Sequence, residues 1–363
     1  MRILVNLITL HDQSSFVLAQ AWRHGLSLFA QARPDIQWYA IVRPGTTLQQ
    51  DIQVISYRAP LRNSIQRGIW LRISLPRIIR SIKPDVVWHA DASFAIGTRV
   101  PQWATIDALP VTAFPEAPLA GRRESVRLAW KHIRSRAAGC FTTQPAVLEF
   151  AERNIPEKPN WMQLLPPLVG ATSTVAHPAS ELDHLYFLTT PMHPSDPLIV
   201  DTLKAFSKFK KRLQSGMYLV IHTGPFPPDA ALQQKLATYK YREHVVLVHS
   251  LSPEAESGLY ADAYALVHPG GYLASTFPLL RAVRAEVPVL TPYQDAAMIL
   301  PEEAILRFEP GIDSLAQSMM WIYKEENDRA QRIREANKWL AAYPPEAVAK
   351  AFVNFLTAHL PTH

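Results

Sequence analysis

The stretch "HPGGYLASTFPLLRAVRAEVPVLTP", residues 268–292, reads as the end of a strand, a turn at Gly270 and Gly271, a helix, and a second strand. In doubly wound sheets, ligands sit outside the carboxyl ends of the strands, where strand-to-helix turns present backbone N–H groups. The glycine pair allows close backbone approach. Ser275 and Thr276 are residue types that cap a helix start while its N–H groups and positive dipole end face outward. An anion such as a diphosphate fits this turn. The same residues also fit a plain tight turn with a capped helix, and at this point both readings stand.

Outward from this segment, short apolar runs alternate with helical patterns along the whole chain, the pattern of parallel sheets covered by helices. The first half predicts strands near 2–8, 37–42, 52–56, 85–89, 103–107, 139–142 and 161–165, with helices near 15–31, 64–82, 122–136 and 144–153. The small-residue stretch "GATSTVAHPASELDH" (170–184) has little to bury and marks a linker. The second half restarts at 185–190 and continues with strands at 217–222, 245–249, 264–268, 287–290 and 304–308. Its helices fall near 196–212, 229–239, 253–261, 275–285, 312–324 and 326–342. A last helix follows Tyr343, with Pro at its start and an apolar stripe of Ala347, Phe352, Phe355 and Leu356. The expected organisation is a first domain over 1–169, a linker over 170–184, a second domain over 185–342, and a closing segment, 343–363, packed back on the first domain. A length of 363 residues, 48% of them hydrophobic, suits two α/β domains of roughly 170 residues each.

Composition excludes several classes. Apolar runs such as Val245–Val248 fall well below the roughly 20 residues that a membrane-spanning helix requires. The opening "MRILVNLITL" has no small-residue cleavage site after it and reads as a buried first strand, so a cytoplasmic protein is expected. A single cysteine, Cys140 in "AAGCFTT", excludes an internal disulfide framework and a cysteine-ligated metal site. Neither HExxH nor CxxC spacing nor an acidic strand-end cluster occurs, so no metal and no bound cofactor is expected. The basic charge is not paired with aromatic platforms, and nucleic acid is not an expected partner.

Charge is uneven. Lys and Arg number 20 against 11 Asp and Glu over residues 1–170, and 17 against 20 over 171–363, giving +9 and −3. An anionic partner for the first half and an Arg-rich solvated surface both fit this asymmetry. Within it, "SIQRGIWLRISLPRIIRSIKP" (64–84) reads as a helix broken at Pro76, beyond which Ile78, Ile79 and Ile82 lie opposite Arg77, Arg80 and Lys83. A basic amphipathic helix rests on an anionic membrane surface or covers a domain core with its charges in water.

The order of segments carries a resemblance that one motif does not. "LYFLTT…LKAFSKFKKRL…MYLVIHTG", "HVVLVHSLSPEAESGLYADAYALVHPG", "STFPLLRAVRAEVPVLTP" and the helical run from Ser314 to Leu356 resemble the donor domain of the family-4 retaining glycosyltransferases of GT-B fold. Weaker echoes in "KPDVVWHADAS", "QWATIDALPVTAFPE" and "AAGCFTTQPAVLEFAER" extend the likeness over nearly the whole chain. The resemblance implies two doubly wound Rossmann-like domains facing across a cleft. It also implies transfer of a sugar, with retention and without a metal, from a nucleotide sugar to an acceptor. The donor pocket then falls on Thr190, His193, Gly224, Gly270, Gly271, Ser275, Thr276 and Arg281, with His11, His89 and Asp91 on the acceptor side. A lipid-linked acceptor, or association with the inner face of a membrane, is the expectation for the basic first domain.

The polar residues that define that family are altered here. Aligning Pro278-Leu279-Leu280 with its helix start puts Leu273 and Arg281 where two glutamates stand, the second of which typically holds the nucleotide ribose. Arg281 only donates hydrogen bonds and cannot replace it. No Arg or Lys occurs between Leu185 and Lys204, where relatives place two cations for the diphosphate, and His193 is the one candidate. Loss of one such donor costs roughly 3–4 kcal/mol of transition-state stabilisation by analogy with oxyanion holes. The family's sugar-contacting histidine falls at Asp107, a candidate catalytic hydrogen-bonder that also suits a strand-end turn. The alternative expectation is a non-catalytic relative serving as partner or scaffold subunit of an active transferase.

Overall fold

The computed structural model describes residues 1–8, 25–46, 48, 51–58, 64–90, 94–106, 130, 131, 133–155, 161–165, 179, 182, 184–191, 196–224, 227–268, 276–293 and 299–358. The chain divides into two compact units, Met1–Leu168 with Pro345–His363, and Val169–Pro344.

Among the described residues the first unit holds seven parallel strands: β1 (Arg2–Asn6), β2 (Gln37–Val42), β3 (Ile52–Ser56), β4 (Val86–His89), β5 (Gln102–Thr105), β6 (Gly139–Thr142) and β7 (Met162–Leu164). Their order is β3-β2-β1-β4-β5-β6-β7, so the winding direction reverses between β1 and β4. Side chains alternate across the sheet with period two. Ile3, Val5 and Trp88 enter one buried cluster, whereas Leu4 and Val87 enter the opposite one. Burial on both faces explains why these strands are nearly continuous apolar runs.

Helical residues 25–32 supply Leu26 and Phe29 to the first cluster. The opposite face is covered by α1 (Ser64–Ile69) and α2 (Leu75–Ile82), joined through a π turn at Trp70–Ser74. Pro76 therefore does not break this segment. Proline lacks an N–H and crowds the carbonyl four residues back. The wider turn, in which the Leu75 N–H bonds the Trp70 carbonyl, accommodates it within a continuous helical run.

Helix α3 (Pro145–Asn154) follows β6. The closing helix, Pro345–Ala358, belongs to this unit, and Phe352 is its anchor. The Phe352 ring centre lies 4.1 Å from Phe29, 4.5 Å from Phe141 and 5.0 Å from Trp88. At Gly139 a Cβ would stand 2.4 Å from the Trp103 ring, so the indole lies directly on bare backbone there.

Among the described residues the second unit holds six parallel strands: β8 (Tyr186–Thr189), β9 (Tyr218–His222), β10 (Val245–Val248), β11 (Ala265–Val267), β12 (Val289–Pro292) and β13 (Ile305–Phe308). They run in the order β10-β9-β8-β11-β12-β13, with the reversal between β8 and β11. The covering helices are α4 (Pro197–Leu213), α5 (Ala230–Ala237), α6 (Pro253–Ala261), α7 (Phe277–Arg284), α8 (Ile312–Lys324) and α9 (Glu326–Ala341), and the closing helix of the chain becomes α10. Asp196, Asp229 and Ser252 cap α4, α5 and α6 through their side chains. One strand begins two residues later than its hydrophobic pattern suggests. After α7 the Val287 N–H bonds the Ala282 carbonyl at 2.9 Å, with Glu286 left-handed at φ 59°, and this C-cap occupies the chain until β12 starts at Val289. No helix among the described residues is long and apolar enough to cross a membrane.

Removing the anchor of α10 should show how far the first unit depends on it. Phe352→Ala is expected to cost about 3–5 kcal/mol in urea denaturation, the range for a buried phenylalanine. A loss below about 1 kcal/mol would mean that α10 is not part of that core.

Candidate functional site

Doubly wound sheets bind ligands at the carboxyl ends of strands where the winding reverses. In the second unit that place is flanked by Thr190 after β8 and His268 after β11, with His222 at the end of β9 alongside. Helices α6 and α7 add Glu256, Tyr260 and Arg281. These six residues are the candidate site.

Its centre is an ion pair. Arg281 Nη1 lies 2.7 Å from Glu256 Oε1, with the two side chains 10% and 4% exposed. The guanidinium also lies over two rings, 5.0 Å from the centre of Tyr260 and 5.4 Å from that of Phe277. Its Nη2 reaches Ser257 Oγ at 3.5 Å. A buried charge is stable only when paired, and here a carboxylate and two π faces enclose the cation. Glu256 Oε2 takes no hydrogen bond among the described residues.

His222 Nδ1 stands 3.6 Å from the same Oε1. Burial pushes the imidazole below its ordinary range, Glu256 opposes, and Arg281 and His249 push it down further. The 3.6 Å contact is therefore a polar contact of a neutral ring rather than a second ion pair. The Tyr260 phenol, fully buried beside Thr190, is pushed well above its ordinary range by burial. Glu256, Arg281 and His222 together carry no net charge.

The remaining expected site residues fall as follows. Thr276 is buried and starts α7, where its carbonyl accepts the Leu280 N–H at 3.1 Å, but its side chain makes no capping hydrogen bond. Gly224 adopts a left-handed φ of 68°, and its carbonyl accepts the Ser250 N–H at 2.7 Å, tying the end of β9 to that of β10. His89 is fully buried at the reversal point of the first sheet. Its Nε2 faces Gln102 Oε1 at 2.9 Å and its Nδ1 faces Asn6 Nδ2 at 3.2 Å. Because Oε1 only accepts and Nδ2 only donates, the ring is the neutral Nε2–H tautomer. With both nitrogens engaged, it braces β1, β4 and β5. His11, Asp91, Asp107, His193, Gly270, Gly271 and Ser275 lie outside the described residues. No cluster of metal-ligating side chains occurs among the described residues.

The residue that sequence reasoning missed is Glu256. Its signal was present in "SPEAESGLYADAY": Glu256, Leu259, Tyr260 and Ala263 follow helical spacing and are all buried. A carboxylate on an apolar helical stripe marks a partnered charge.

Two outcomes follow from this geometry. Glu256→Ala leaves Arg281 buried without its counter-ion and is expected to cost about 3–5 kcal/mol in denaturation. The double variant Glu256→Leu/Arg281→Met should recover much of that loss, and equal losses in both would show that the pair is not coupled. The second outcome concerns acid. Because the folded pKa of His222 is depressed, the unfolded chain takes up the proton first, and stability should fall as pH drops from about 6.5, the ordinary histidine value, towards the folded pKa. His222→Gln should flatten that part of the stability profile, and an unchanged slope would refute the assignment.

No protein-family model matches the chain, and no curated protein matches it in sequence. Solved structures do match. WaaG, a glycosyltransferase involved in lipopolysaccharide biosynthesis, superposes with a TM-score of 0.72 at 12% identity, covering 98% of this chain and 100% of its own. HepE from Anabaena, solved with UDP and glucose, gives 0.71 at 12% identity over 98% and 99%. A UDP-N-acetylglucosamine 2-epimerase gives 0.65 at 14% identity over 99% and 95%. The architecture thus serves an epimerase as well as transferases, and likeness at these identities speaks for fold alone. The chain has the GT-B glycosyltransferase fold, two Rossmann-like parallel-sheet units in series.

Proposed function

We propose that the chain is a nucleotide-sugar-dependent glycosyltransferase with its donor site at the carboxyl end of the second sheet. The observation that carries this reading is the buried Glu256–Arg281 pair at the winding reversal. Charges are buried at a ligand crevice at high cost, and such clusters concentrate at functional sites. The named ligands of the similar structures, UDP with glucose and a UDP-sugar substrate, fit a donor of this class.

In this reading Glu256 restores from α6 the carboxylate that position 281 lacks. Arg281 orients it, leaving Oε2 to accept a ribose hydroxyl. The turn containing Gly270, Gly271, Ser275 and Thr276 takes the diphosphate through backbone N–H groups, aided by His193, while Thr190 and Gly224 line the pocket. Asp107 is the proposed catalytic hydrogen-bonder, His11 and Asp91 serve the acceptor, and transfer proceeds with retention and without a metal. The protein acts in the cytoplasm on an envelope-type glycan acceptor.

One observation favours a second reading, a non-catalytic subunit of an active transferase. Arg281 is neutralised by Glu256 and His222 is held neutral, so the described cluster offers a diphosphate no net positive charge.

Calorimetric titration with UDP, GDP, ADP, TDP, CMP and their sugar conjugates decides between them. The transferase reading expects one nucleotide to bind, and Glu256→Gln to weaken it tenfold or more, about 1.4 kcal/mol. Absence of binding by every nucleotide at millimolar concentration would sink this reading. Co-purification with a partner transferase would then support the second.

A further inference from the structure

The helical run from Ser64 to Ile82 carries a feature that neither sheet uses. Trp70, Leu75 and Ile79 are buried against the first sheet, with the Trp70 ring 4.7 Å from Tyr57. On the outside, Ile65 is 73% exposed, Ile69 50% and Ile73 43%. The spacing of four residues places them along one face of the helix. Single exposed apolar residues are ordinary, but three large ones in register on one helix are not.

Along the helical run the charge has one sign. From Ile52 to Pro84 the sequence contains Arg58, Arg62, Arg67, Arg72, Arg77, Arg80 and Lys83 and no Asp or Glu. Arg72, Arg77, Arg80 and Lys83 are exposed. The π turn that absorbs Pro76 keeps the run continuous, so ridge and charges share a rod about 28 Å long. A protein partner matched to this surface would need an acidic apolar groove. A bilayer with anionic headgroups offers both properties in any orientation, with shallow burial for the isoleucines and phosphate for the arginines.

We propose that the exposed face of residues 64–83 is a peripheral docking surface for an anionic lipid bilayer, seated through Ile65, Ile69 and Ile73 with the flanking arginines on lipid phosphates. This surface is independent of the donor site in the second unit.

The full chain is tested by co-sedimentation with vesicles of phosphatidylcholine alone and with added phosphatidylglycerol. The expected result is binding to the anionic vesicles, weak binding to the neutral ones, and loss of binding at high salt. The triple variant Ile65→Ser/Ile69→Ser/Ile73→Ser changes only exposed side chains. It should keep the parent melting temperature and bind anionic vesicles at least tenfold more weakly. Arg72→Glu/Arg77→Glu should do the same through charge.

Failure of the parent chain to bind anionic vesicles at low salt would overturn the proposal. So would binding that the triple variant leaves unchanged, which would assign it to charge elsewhere. A concentration-dependent dimer abolished by the triple variant, without vesicle binding, would overturn it in favour of a second copy as the occupant.

Discussion

A parallel sheet buried on both faces has room for polar side chains only at its ends, and that constraint organises both units. Crossover connections carry helices over both faces, and these helices seal the sheet with apolar side chains. Ile3, Leu4 and Val5 on one strand fill two different cores, leaving no position between them for chemistry. Polar groups are displaced to the carboxyl edge, and the winding reversal leaves a crevice there that no crossover covers. His89 with Asn6 and Gln102 in the first unit, and the Glu256–Arg281 pair in the second, occupy equivalent places for that reason.

The two reversal points differ in what their polar groups leave open. In the first unit, both His89 nitrogens are engaged, and Gln102 is further tied to the Ala95 backbone through both its oxygen and its nitrogen. Such a closed network fixes three strands relative to one another. In the second unit, Arg281 fills its surroundings with Glu256, Ser257 and two rings, yet one carboxylate oxygen takes no hydrogen bond among the described residues. A half-satisfied buried carboxylate is a standing cost in free energy, and a ligand hydroxyl would relieve it.

Most of the fold was legible because hydrophobic periodicity is a direct record of burial. Thirteen strands in two parallel sheets match the apolar runs read from the chain, with Val289 displaced by a C-cap and the helix at Pro76 continued by a π turn. Both departures come from backbone geometry, which a pattern of side chains does not encode. The site was less legible. A motif-by-motif reading assigns a role to position 281 and finds an arginine where a carboxylate belongs. A carboxylate lies 25 residues earlier, Glu256 against Arg281, and the packing of α6 on α7 brings the two together. The local sequence marks Glu256 as a partnered charge on an apolar stripe, but it does not name the partner on the next helix.

That separation bears on how a binding site drifts while its fold persists. Replacing a buried glutamate by arginine alone would strand a charge, at a cost comparable to much of a domain's stability. With a glutamate facing it from α6, the same arginine is neutralised, and one carboxylate oxygen takes no hydrogen bond among the described residues. On the proposed donor-site reading, such an exchange would keep an acceptor in the pocket while removing the motif by which it is recognised. Loss of a family's signature residues is therefore weak evidence for loss of its ligand when the neighbouring helix carries the complementary charge. In this chain the charge that pairs with Arg281 is buried and lies next to His222, at the carboxyl end of β9.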